Sequence, residues 1–146
     1  MGDAMKRGAG FGGWAVALML AAMPAGAATP AYPPRAILLF VASWCAPCHG
    51  EIAGLPALRD AAGPWRMLVV PVDRGRATVA MMAGVPVAER WMPDAATMAV
   101  IREDVFGGTA GLPFSVAIGG DGRPCGAHRG VLSAARVAAL RAGCAR

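Results

Sequence analysis

Residues 36–48 read AILLFVASWCAPC, and this stretch decides the fold. Seven apolar residues in succession, rich in Ile, Leu, Phe and Val, suit a strand buried on both faces. The run leads directly to Cys45. Pro47 then stands where a helix can begin, because its fixed φ and missing N–H are tolerated in a first helical turn. The motif is therefore a Cys-x-x-Cys pair at a strand-to-helix junction. Cys45 lies by the positive end of the helix dipole and near backbone N–H groups that lack a helical partner, and both features favour thiolate over thiol. Lowering a cysteine pKa from about 8.5 to about 7 raises the thiolate fraction at neutral pH to about half, a stabilisation of about 2 kcal/mol. Cys45 is the expected nucleophile, and Cys48, one turn on and facing inward, the resolving thiol.

Outward from the motif, residues 46–62 can form the helix, with Gly54 and Pro56 predicting a kink. Residues 67–72, MLVVPV, read as a second buried strand closed by Asp73. A crossover of this length between two apolar strands implies a parallel pair. A mostly helical insertion follows over 74–111. Its clearest element starts at Asp94, an N-cap residue, with Met98, Ile101, Val105 and Phe106 at helical spacing. Residues 114–118 form a third strand, GGDG at 119–122 a turn, and 123–128 the return arm of a hairpin. Ser133 can cap a last amphipathic helix carrying Val137 and Leu140. The predicted order is β-α-β-(α)-β-β-α, an α/β fold with a four-stranded mixed sheet flanked by helices.

The chain start reads as a targeting segment. Lys6 and Arg7 precede an apolar run from Trp14 to Met23, Pro24 breaks it, and Ala25-Gly26-Ala27 supplies small residues for cleavage. The run falls short of the roughly 20 residues that span a bilayer. Residues 1–27 are thus expected to be a signal peptide, with an uncleaved anchor as the alternative, and residues 28–146 the folded domain. The whole chain of 146 residues has a formal charge of +5; a leader ending at Ala27 takes Lys6, Arg7 and Asp3 with it and leaves twelve arginines against eight acids. These arginines are scattered, which argues against a nucleic-acid stripe or a polybasic membrane patch. Four cysteines in a chain bound for an oxidising compartment point to disulfide chemistry before metal.

Trp44-Cys45-Ala46-Pro47-Cys48 after an apolar strand, Gly111-Leu112-Pro113 opening another, and Asp121-Gly122 turning a hairpin together resemble the thioredoxin superfamily. The leader, Glu51 three residues past Cys48, and the insertion before Pro113 are similar to its TlpA-like exported branch. The resemblance implies a thioredoxin-like fold and thiol-disulfide exchange with cysteines of substrate proteins, with no cofactor or metal. It implies that Pro113 is cis and lies against the disulfide, and that Trp44, Leu112 and Pro113 shape the substrate surface. It also implies a periplasmic location, reductive work on partners such as apocytochrome or metallochaperone thiols, a membrane electron donor, and a monomer.

The pattern is broken in places. Leu39 stands where thioredoxins bury an acid behind the second cysteine, so the proton acceptor for Cys48 is open. Glu51 could serve through water, but reads first as an exposed first-turn acid. Pro56 comes about one turn later than the helix proline of the family. Trp44 can pack inward or shield the disulfide, and His49 is read as a partly exposed helix residue beside Cys45.

Cys125 and Cys144 fall, in the predicted topology, at the start of the last strand and the end of the last helix, at one edge of the domain. They could close a structural disulfide worth roughly 3 kcal/mol on the chain-entropy model, or stay as thiols. Other chemistries compete for the first pair. Cys45-Ala46-Pro47-Cys48-His49 also satisfies the attachment pattern of c-type haem, with Met92 as a sixth ligand. The buried strand entering the motif and the later hairpin oppose a mostly helical cytochrome. A four-cysteine zinc module is weaker, since Cys125 and Cys144 do not form a second knuckle. A thioredoxin-fold binding protein without turnover is the third alternative, motivated by Leu39.

Overall fold

The computed structural model describes residues 30–107 and 111–145. The leader assigned to residues 1–27 lies outside the described residues. The apolar run becomes β1 (Ala36–Val41), all six residues of which are buried. It pairs in parallel with β2 (Arg66–Pro71) and antiparallel with β3 (Phe114–Ile118), which in turn pairs antiparallel with β4 (Pro124–Arg129). The sheet order is β2-β1-β3-β4. β1 and β3 therefore sit centrally, and every residue of both is buried, Ser115 of β3 included.

Between β1 and β2 run α1 (Ala46–Ala53) and α2 (Leu55–Ala62). The split falls at Gly54 because Pro56 has no N–H to continue the ladder. The Gly54 N–H closes α1 onto the Gly50 carbonyl at 3.0 Å. α2 ends at Gly63, whose φ of +59° suits a residue without Cβ. The insertion between β2 and β3 contributes α3 (Arg76–Ala83), a 3₁₀ turn at Val87–Glu89, and α4 (Ala95–Phe106). Asp94 caps α4 by accepting the Thr97 N–H at 2.7 Å. The hairpin turn is closed by Asp121, which accepts the Arg123 N–H, and by Gly122 at φ +74°. α5 (Ala134–Cys144) is capped by Ser133, whose hydroxyl accepts the Arg136 N–H.

Alternation along the strands divides the core into two layers. Ile37, Leu39, Val41, Met67, Val69 and Ala117 face α1, α2 and α5. Leu38, Phe40, Leu68, Val70, Phe114 and Val116 face the other side, where α4 packs with Met98, Ile101 and Phe106. There Phe40, Phe106 and Phe114 form an aromatic trio with centroids 4.8 to 6.0 Å apart. No helix among the described residues is long and apolar enough to cross a membrane.

Candidate active site

β1 delivers the chain to the end of the central strand pair, and the Ala42–Cys45 turn passes it into α1. The Cys45 N–H bonds the Ala42 carbonyl and the Cys48 N–H the Cys45 carbonyl, at 3.0 and 3.1 Å. Cys45 is the N-cap of α1, and no side chain caps this helix. The first-turn dipole is therefore left to act on the Cys45 sulfur. Cys45 and Cys48 are joined in a disulfide with Cα atoms 5.3 Å apart. Cys45 retains 4% exposure and Cys48 none, so a partner approaching from solvent meets Cys45 first.

The turn is held by a residue that the sequence marks only as a strand terminator. Asp73, just past β2, accepts the Ser43 hydroxyl at 2.5 Å and the Ser43 amide at 3.1 Å. Burial pushes the Asp73 carboxyl up, but hydrogen bonds, those from Ser43 foremost, together more than offset this and hold it below the ordinary value. One carboxylate thus ties the C-terminal ends of two parallel strands together immediately before the cysteine motif. The apolar run ending in Asp is the available signal, but its partner thirty residues away is not visible from it.

Trp44 does not pack inward: it is 71% exposed beside the disulfide. His49 is exposed, and its Nε2–H donates to the Ser43 carbonyl at 2.9 Å, adding a second tie on the same turn. Met92 is also exposed. Leu112–Pro113 is a cis peptide at the start of β3. Leu112 packs against the buried cluster that contains Cys45 and Cys48, while Pro113 is itself buried.

Glu51 corrects the sequence reading. It is not an exposed acid but 3% exposed. It lies three residues after Cys48 on α1, and residues at this spacing share a helix face. The burying cover is the segment before α5, whose Leu132 N–H donates to Glu51 Oε1 at 2.5 Å. Glu51 Oε2 has no hydrogen-bond partner among the described residues. Burial raises the Glu51 pKa to about 7, against a lowering contribution from the Leu132 amide. A mostly apolar groove of about 450 Å³ passes over this carboxyl, bounded by Pro47, Gly54, Leu58, Val131 and Leu132. Leu39, the residue in place of a buried acid, is fully enclosed in the same cluster as both cysteines. Glu51 is therefore the titratable group that this core offers on the helix face of Cys48.

Cys125, near the start of β4, and Cys144, at the end of α5, are bonded with Cα atoms 5.3 Å apart. Among the described residues no group of three or more His, Cys, Asp or Glu could hold a metal ion.

No protein-family model matches the sequence, and no curated protein matches it. Solved structures do. A thioredoxin-family thiol:disulfide interchange protein from Chlorobium tepidum superposes with a TM-score of 0.58 at 21% identity, covering 75% of this chain and 78% of that one. StoA from Bacillus subtilis gives 0.56 at 17% identity, over 76% and 84%. A secreted Mycobacterium tuberculosis disulfide oxidoreductase homologous to DsbE of E. coli gives 0.54 at 17% identity, over 73% and 79%. These likenesses concern the fold.

Proposed function

We propose that this chain, which has the thioredoxin fold, is an exported TlpA-like thiol-disulfide oxidoreductase that reduces disulfides of substrate proteins in the periplasm. The observation that carries the reading is the Cys45–Cys48 bond at the end of a buried strand, with Cys45 at an uncapped helix N-terminus. The apolar leader in the sequence and the secreted nature of one structural neighbour support export.

In the reduced protein, the Cys45 thiolate attacks one sulfur of a substrate disulfide. The substrate's other sulfur leaves as thiolate, and a mixed disulfide forms on Cys45. Cys48 then attacks the Cys45 sulfur, closing the intramolecular bond and releasing the reduced substrate. Two electrons pass to the substrate, and a membrane donor restores the dithiol. Cys48 must lose its proton before it attacks. Glu51, on the same helix face and with a pKa of about 7, is matched to accept it near neutral pH. Trp44, Leu112 and Pro113 form the surface on which the substrate segment docks, and the protein works as a monomer on cysteine-bearing partners such as apocytochromes or metallochaperones.

The reduction potential of the Cys45–Cys48 pair tests the direction. A value near that of thioredoxin, about −270 mV, supports reductive work; one near the strong oxidants, about −120 mV, reverses it.

A further inference from the structure

The second disulfide is open on one side only: Cys144 packs against the core and the Cys125 sulfur lies 3.3 Å from the Ala117 carbonyl, while Cys125 faces the surface. β4 is an edge strand, and Cys125 on it is exposed. Disulfides that are exposed are the labile ones, and reactive cysteines occupy partly exposed, electropositive surroundings. Both conditions hold here. Cys125 opens onto a cavity of about 210 Å³ whose other walls include His128, Arg136, Leu140 and Gly143. Among the described residues no Asp or Glu lines it. The Arg136 guanidinium makes no hydrogen bond or ion pair among the described residues, and the residue's side-chain-capped bond is that of its backbone amide to Ser133. His128 Nε2–H donates to the Val131 carbonyl at 3.2 Å, which fixes the ring against this wall.

The bond cannot be served by the chain's own Cys45. Cys125 lies beside Ala117 and Ile118, which pair with the beginning of β1, whereas Cys45 follows the end of β1. At roughly 3.3 Å per residue the length of β1 puts the two sites about 20 Å apart. A thiol that opens Cys125–Cys144 must come from outside, approaches Cys125 over this shallow cavity, and is favoured there if it carries negative charge.

We infer that Cys125–Cys144 is a second exchange site, which takes a low-molecular-mass thiol bearing a carboxylate. The incoming thiolate attacks the Cys125 sulfur, forming a mixed disulfide, and Cys144 departs as thiolate and takes a proton from water. A second molecule of the same thiol attacks the mixed disulfide, leaving Cys125 as thiolate and departing as the oxidised small-molecule disulfide. The two electrons are those of the small thiol. Arg136 holds the carboxylate, and the apolar wall at Leu140 receives the thiol's carbon chain. The site is independent of the reading given to Cys45 and Cys48.

The test uses the full chain with Cys45→Ser and Cys48→Ser, so that Cys125–Cys144 is the only disulfide present. Reduced glutathione and cysteamine, a cationic thiol, are compared as reductants, with adducts mapped by mass spectrometry after acid quenching. The expected result is a glutathione adduct on Cys125 with Cys144 free. The ratio of the glutathione to the cysteamine rate should fall about 1.5- to fivefold on Arg136→Gln, the range for one exposed charge, and fall likewise with added salt. A bond that opens only in denaturant, an adduct on Cys144, or a rate ratio unchanged by Arg136→Gln would overturn the inference. Adduct mapping on the wild-type chain reports the same site if the double variant does not fold.

Discussion

Replacing Glu51 by Gln should change how stability depends on pH, in a direction that the burial of this carboxyl dictates. The folded protein holds Glu51 at a pKa of about 7, against 4.5 in an ordinary setting. Below pH 4.5 both the folded and unfolded chains carry the protonated acid, and the group contributes no difference. Between pH 4.5 and about 7 the unfolded chain releases the proton while the folded one retains it, so stability falls as pH rises. Each pH unit in that window costs about 1.4 kcal/mol, and the accumulated loss is about 3 kcal/mol by pH 8. The substituted amide keeps an oxygen to accept the Leu132 N–H but has no charge to bury. Urea unfolding of oxidised wild type and Glu51→Gln, from pH 4 to pH 8, should show equal stability at pH 4 and a variant more stable by about 3 kcal/mol at pH 8. Parallel curves across the range would refute the burial of an ionisable group here. If Glu51 also takes the Cys48 proton, the same variant should resolve mixed disulfides about 100-fold more slowly, the lower end of what a positioned base supplies.

Other perturbations probe the supports of the site. Asp73→Ala leaves the Ser43 amide and hydroxyl without their acceptor and should cost about 1–3 kcal/mol in chemical unfolding; a loss within error of zero would mean the tie contributes nothing. Cys125→Ser with Cys144→Ser removes a cross-link nineteen residues apart in sequence and should lower stability by about 3 kcal/mol, measured by urea titration under oxidising conditions. Gly126→Val should cost about 1–3 kcal/mol, because a Cβ there would lie 3.2 Å from Leu140 Cδ2 and the added methyls would crowd that side chain further. An unchanged melting curve would contradict that close approach.

The parts of the fold legible in the sequence are those set by local rules. β1 is a short apolar run and β3 a run broken only by Ser115, both bounded by turn residues, and their lengths follow from that pattern. Pro56 marks the helix break because a missing N–H acts where it stands, and Asp94 and Ser133 mark helix starts for the same local reason. The residues that mislead are those whose surroundings arrive from far along the chain. Glu51 reads as exposed because its cover, Leu132, is eighty-one residues away, although its spacing from Cys48 already places both on one helix face. Asp73 reads as the end of a strand, since Ser43 lies thirty residues back. Trp44 reads equally as packing or shielding, and its place on the turn beyond the strand end leaves it without a core to enter.

In the proposed reaction Cys45 attacks and Cys48 resolves. Cys48→Ser removes the resolving sulfur and leaves the attacking one, so a substrate disulfide should be caught midway. The measurement is to mix the reduced variant with a disulfide-bonded peptide at pH 7 and map the covalent adduct by mass spectrometry. A stable mixed disulfide on Cys45, absent in the matching Cys45→Ser protein, is the expected result. A folded Cys48→Ser protein that captures no peptide, or captures it elsewhere, would contradict it.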